Sequence, residues 1–153
     1  MYSKYQGKYS IKNPQKYAGD PYQVFYRSLW ELAVMRWLDL NDSVKSWSSE
    51  EVVIPYRCPT DNKLHRYFMD FKITFSNGDV YLIEVKPKCQ MSPPKRGKKS
   101  EKFFLKEVLT YGKNQSKWKQ AKKYAEDRNY KFQIWNEDAL EKLGIRVIGS
   151  NGR

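Results

Sequence analysis

Arg66-Tyr-Phe-Met-Asp-Phe-Lys-Ile-Thr-Phe-Ser-Asn-Gly-Asp-Val-Tyr-Leu-Ile-Glu-Val-Lys86 is the stretch whose reading decides the fold. β-Branched and aromatic residues crowd both sides of Ser76-Asn77-Gly78, which predicts strands over roughly 65–75 and 80–86 joined by a tight turn. Glu84 and Lys86 lie two apart on the second strand and therefore share a face. Val80 and Leu82 lie on that same face, and Tyr81, Ile83 and Val85 on the other. A strand apolar on both faces is central and buried, whereas the wet face of an antiparallel sheet would alternate cleanly. An acid buried beside a lysine is costly unless paired or bound to metal. Together with Asp70 on the first strand, the hairpin reads as a small metal site with a cation beside it.

Whether Asp70 faces Glu84 depends on the turn. A two-residue Asn77-Gly78 turn pairs Asp70 with Val85 and puts it on the opposite face. A three-residue loop, with Gly78 left-handed at its third position, pairs Phe75 with Asp79 and hence Asp70 with Glu84. Sequence preference permits both. Only the three-residue loop, or a bulge near Asp70 that restores the same facing, makes a metal site.

The chain has 153 residues, enough for one domain with a core of its own. Its 29 Lys plus Arg outnumber 17 Asp plus Glu, for a net charge of +12, which points to a polyanionic partner such as nucleic acid. The plain alternative is charge that only keeps the protein soluble. Two cysteines imply no disulfide framework. The polar start Met1-Tyr-Ser-Lys-Tyr-Gln-Gly-Lys8 lacks the apolar core of a signal peptide, and no run is long enough to span a membrane. The expectation is a soluble, intracellular protein with no membrane role.

Outward from the hairpin, residues 1–19 read as an extended arm that docks by its tyrosines or lies on a partner, and 20–153 as a single domain. Asp20-Pro21 looks like a helix start, with apolar spacing over 21–40. Glu31 on that helix reads, by itself, as an exposed ion pair with Arg27. A strand is expected over 51–56, and a basic, proline-rich loop over 87–100. Helices follow over 101–111 and 115–128, then a strand over 131–135, a short helix over 137–143 and a last strand over 145–148. The order gives a mixed α/β sheet with helices on its faces. Cys58, His65 and Cys89 lack the paired spacings of a zinc site.

The set Asp70, then Glu84-Val85-Lys86, resembles the PD-(D/E)xK nuclease superfamily, whose core motif is an acid on one strand and acid-x-Lys on the next. Its naming proline is replaced by Met69. Many members add a helix glutamate, which matches Glu31. The order of helix Glu, hairpin Asp and Glu-x-Lys is most similar to TnsA-type endonuclease domains, as are Tyr26-Arg-Ser-Leu-Trp-Glu31 and Trp47-Ser-Ser-Glu-Glu-Val-Val-Ile-Pro-Tyr56. More narrowly, the length, the opening Tyr5-Gln-Gly-Lys-Tyr-Ser-Ile-Lys-Asn-Pro14 and the Tyr-Arg-Ser-Leu-Trp-Glu block resemble the head-completion nucleases of T-even-type tailed phages. Gln120-Ala-Lys-Lys-Tyr124 is similar to the Gln-x-x-x-Tyr element of RecB-like members, which would make Gln120 and Tyr124 auxiliary.

The resemblance implies a restriction-endonuclease-like core and a metal-dependent endonuclease acting on phage DNA during head completion, in the host cytoplasm or the virion. Asp70 and Glu84 offer hard oxygens suited to Mg²⁺, with Mn²⁺ able to substitute. The Val85 carbonyl is implied as a further ligand. Lys86 would position the attacking water or neutralise the phosphate, and Glu31 would orient a water or hold a second ion. Arg27, Lys88, Lys95, Arg96, Lys98, Lys99, Lys113, Lys117 and Lys119 would track the DNA backbone, and phage head or portal and neck proteins are the implied protein partners. The rivals are a catalytically inactive DNA-binding virion component and an RNA-binding module with exposed aromatics, which leaves the acid set unexplained.

Overall fold

The computed structural model describes residues 5–147. Strand β1 (Gly7–Lys8) pairs antiparallel with β2 (Phe25–Tyr26), and helix α1 (Leu29–Leu40) follows. Next come β3 (Val44–Ser49), β4 (Val53–Arg57), β5 (Leu64–Phe68), β6 (Phe71–Phe75) and β7 (Val80–Val85), then α2 (Glu101–Asp127), β8 (Lys131–Trp135) and α3 (Glu137–Lys142). The main sheet runs β3-β6-β7-β8. Its first three strands are antiparallel, and β8 joins β7 in parallel after the crossover through α2. This is the mixed α/β architecture expected from the sequence.

Two apolar layers sandwich the sheet. On one side α1, α3 and the N-terminal segment bury Val34, Met35, Leu38, Trp47, Ile73 and Ile83. On the other, α2 lays Trp118, Ala121 and Ala125 over Leu82 and the β4–β5 ribbon. Strand β7 feeds both layers, Ile83 to one and Leu82 to the other, as expected for its apolar faces.

The single strand expected over 65–75 is in fact two. At Met69-Asp70 the chain leaves β4, the partner of β5, and takes up β3 and β7, the partners of β6. The cause is Glu50, which turns left-handed at φ 56° between β3 and β4. Its N–H donates to the carbonyls of both Met69 and Asp70, and Met69 N–H donates to Val52. Both ribbons therefore bend at one place.

The helix expected over 21–40 starts only at Leu29. Asp20 folds back to accept from the Tyr22 N–H and closes a turn instead. The true start is Ser28-Leu-Trp-Glu31, where Ser28 Oγ accepts from the Glu31 N–H. Strand β3 was not anticipated. The two helices expected over 101–111 and 115–128 are one, because Gly112 in a helix interior costs only about 1 kcal/mol. Residues 145–147 form no strand, and the rest of that expected element lies outside the described residues. The loop over 87–100 contains a 3-10 turn, Lys88–Gln90.

The N-terminal segment packs by its tyrosines. Tyr9 and Tyr17 are buried, and Tyr9 donates to Asp39 Oδ2 at 2.7 Å. Asp39, buried on α1, also accepts the N–H groups of Lys12 and Asn13 at 2.8 and 2.9 Å. One carboxylate thus satisfies three donors of the segment. Asp39→Ala should cost on the order of 3 kcal/mol, since it orphans buried donors. Urea denaturation reads the loss, and limited proteolysis should then cut between residues 5 and 17 first.

Candidate active site

The turn settles the facing of Asp70. Phe75 N–H donates to Asp79 and Gly78 N–H to Phe75, with Gly78 at φ 94°. Thr74 pairs with Val80 and Phe71 with Ile83, so the register continues to Asp70 opposite Glu84. This is the three-residue loop. The break before β6 places Asp70 at the strand end, where its Oδ2 accepts from the Val85 N–H at 2.8 Å.

Glu84 is buried on the α2 side of β7. Tyr67 on β5 donates to its Oε1 at 2.6 Å, and Lys86 Nζ stands 3.5 Å from its Oε2. Both oxygens are therefore engaged. Burial and the Glu84 charge push the Tyr67 hydroxyl far upward, so it stays a neutral donor. Glu31 arrives from the first turn of α1, which its own capping role positions. Its Oε1 accepts from the Arg27 N–H at 3.2 Å. Glu50 lies beside it, held by Arg27 at 2.9 Å.

The acids feel one another. Burial raises Asp70 well above the usual carboxyl range, and the carboxylates of Glu84 and Glu31 add to the rise. The Val85 N–H and Lys86 oppose it. Burial likewise raises Glu31, with Glu50 and Glu84 adding to it against the Arg27 N–H and charge. Among the described residues, Asp70 Oδ1 and Glu31 Oε2 receive no hydrogen bond. Carboxylates that raise one another and keep free hard oxygens suit a divalent cation, which would relieve their repulsion, although among the described residues Asp70, Glu84 and Glu31 do not bring three ligand atoms within 4.8 Å of one another.

The remaining expected residues are scattered. Lys88 pairs with Asp138 at 2.6 Å and Lys99 with Glu107 at 2.6 Å, while Lys95, Arg96, Lys98 and Lys119 are exposed. Lys113 and Lys117 are half-buried on α2. Tyr124 packs against the α2-side core and carries the Arg128 guanidinium 3.5 Å above its ring, and Gln120 is half-buried nearby. Tyr67 and Glu50 were missed. Alternation along β5 could have pointed to Tyr67, but nothing local to Glu50 marks it.

A second cluster sits at the β4–β5 turn, where donor atoms of Cys58, Asp61 and His65 lie within 4.8 Å of one another. Asp61 replaces Cys89 of the trio weighed from the sequence. His65 Nε2 meets Asp61 at 2.7 Å and Cys58 Sγ meets Thr60 Oγ1 at 3.0 Å, so each donor already has a protein partner.

Residues 41–137 match the family model described as TnsA-like endonuclease N terminal. The chain belongs to that family. It is also 42% identical over 146 residues to the head completion nuclease of Enterobacteria phage T4, covering 93% of this chain and 97% of that protein. No solved structure matches. The matched span of this TnsA-like chain contains Asp70, Glu84 and Lys86, whereas Glu31 lies just before it.

The raised Asp70 carboxyl has a measurable consequence for metal-free protein. A carboxyl raised in the folded state contributes stability below its unfolded pKa, about 3.9, and that contribution is lost as pH rises through the folded value. Asp70→Asn keeps the acceptor for Val85 but cannot ionise. In EDTA it should melt higher than wild type at neutral pH, by roughly 2–4 °C for each kcal/mol regained. The gap should close towards pH 4. Parallel melting curves across the whole range would contradict the electrostatic account.

Proposed function

We propose that this chain is a metal-dependent endonuclease that hydrolyses phosphodiester bonds of DNA, acting in phage head completion. The endonuclease character rests on the family. The observation that carries the metal-dependent reading is the register that sets Asp70 opposite Glu84, with Lys86 alongside and Glu31 near enough to raise Asp70. The head-completion role rests on the printed name of the phage T4 relative, and with it come the host cytoplasm or virion as location and head or neck proteins as partners. No described helix is long and apolar enough to cross a membrane. Residues 20–153 are read as one nuclease domain to which the arm is fastened by Asp39.

Asp70 Oδ1, Glu84 and the Val85 carbonyl would hold Mg²⁺, or Mn²⁺ in its place, with Glu31 available on the α1 side. When bound, the ion supplies an acidified water and positive charge against the phosphate. The protein does the rest. Val85 N–H fixes the Asp70 carboxylate, and Tyr67 fixes Glu84 from the other side. Lys86 steadies Glu84 in the ground state and offers charge to the pentacoordinate transition state. Glu31, its carboxyl raised by burial with Glu50 and Glu84 adding to it, is suited to orient the attacking water. The inactive DNA-binding alternative keeps the fold but leaves the intact Asp70, Glu84 and Lys86 set without a purpose.

Supercoiled plasmid nicking tests the reading. Wild type should nick in Mg²⁺ and not in EDTA, and Asp70→Ala should lose about 100-fold or more. Nicking that persists in EDTA, or that survives the Asp70 change, would sink it.

The exposed Lys95, Arg96 and Lys98 should act through the backbone alone. Replacing all three by Gln should weaken duplex binding and reduce the slope of log affinity against log salt by up to about 3. Unchanged binding would make the loop mere surface.

A further inference from the structure

Lys117 differs from the other lysines of α2. Lys119, Lys122 and Lys123 are exposed, whereas Lys117 is half-buried beside Trp118, on the face that α2 turns to β4 and β5. Its Nζ lies 5.4 Å from the ring centre of Tyr67 and 5.8 Å from that of Tyr56. Tyr67 is the residue that donates to Glu84, so Lys117 stands one side chain away from the acid set.

Its electrostatic neighbours are those of the site. Burial pulls its ammonium below the ordinary lysine range and Glu84 opposes the pull, while Lys86 and Lys113 add to it and Asp70 resists. Lys86, Lys88 and Lys99 each have a carboxylate partner. Among the described residues Lys117 has neither a carboxylate partner nor a hydrogen-bond acceptor, only two ring faces. Ring faces balance charge but leave the three directional N–H donors unmet. A half-buried ammonium with free donors, facing a site that handles phosphate, is a seat for an anionic oxygen.

We propose that Lys117 is a further phosphate-binding cation of this site, beside Lys86: its ammonium takes a non-bridging oxygen of the phosphodiester under attack. The proposal rests on the nuclease reading and refines it. A lysine that tracks the backbone gives affinity; one that meets the reacting phosphate gives rate.

The test compares Lys117→Met, Lys117→Arg and, as a surface reference, Lys119→Met. Single-turnover nicking at saturating protein in Mg²⁺, duplex binding by anisotropy in Ca²⁺, and thermal midpoints are measured for each. Reductive methylation of wild-type lysines, read by mass spectrometry with and without duplex in Ca²⁺, gives a readout independent of cleavage. Lys117→Met should slow nicking about 100-fold or more with binding and melting nearly unchanged. Lys117→Arg should recover part of the rate, Lys119→Met should weaken binding alone, and duplex should shield Lys117 from methylation. The proposal is overturned if Lys117→Met behaves like Lys119→Met, or if its loss of rate tracks a lower melting point that Arg does not repair. If wild type does not nick at all, the nuclease reading fails by itself and methylation decides the remainder. Shielded Lys117 then still marks a phosphate seat, and equal modification with and without duplex removes it.

Discussion

The hydrogen bond from the Val85 amide to Asp70 Oδ2 joins the two halves of the hairpin at the point where the strand changes partners. Without the break at Met69-Asp70, residue 70 would be one more rung of a ladder, with its carboxylate beside a sheet face. With it, the chain supplies an acid at the mouth of the sheet, aimed at the next strand. The break depends in turn on Glu50, whose left-handed backbone donates to both Met69 and Asp70. Such a conformation in a residue other than glycine costs about 1–3 kcal/mol and persists where the surroundings over-determine it. Here β3, β6 and the packing of Met69 do so.

The cost of the site is also electrostatic. Asp70, Glu84, Glu31 and Glu50 converge where burial and mutual repulsion raise Asp70 and Glu31, so the metal-free protein holds its acids under strain. Tyr67 and Lys86 calm Glu84, and Arg27 calms Glu50. A cation would take the free oxygen of Asp70 and share an oxygen of Glu84 with the partner it already has, with the free oxygen of Glu31 to hand. Lys117, seated against the rings of Tyr56 and Tyr67, adds a positive charge close enough to feel Glu84 and Asp70.

Much of this was legible from local rules. The two-residue period of a strand reduced the facing of Asp70 and Glu84 to two outcomes; the turn residues permitted both, and the three-residue loop with Gly78 left-handed is the one formed. The burial of β7 followed from apolar residues on both faces. What escaped was set by partners distant in sequence. A continuous apolar run over 65–75 carries no mark of where it will swap neighbours, and Glu50 acts through its backbone amide. Asp20-Pro21 and Ser28-x-x-Glu31 were both fair helix starts; Asp20 was spent on a turn because β2 had to pair with β1. Lys117 looked like Lys113 and Lys119 because spacing along a helix does not say which lysine meets two tyrosines.

Anomalous scattering from crystals soaked in Mn²⁺ addresses the central claim most directly. The account predicts a peak about 2.0–2.3 Å from carboxylate oxygens of Asp70 and Glu84, lost in Asp70→Asn. A peak only at Cys58, Asp61 and His65, or Asp70 and Glu84 found on opposite faces, would contradict it.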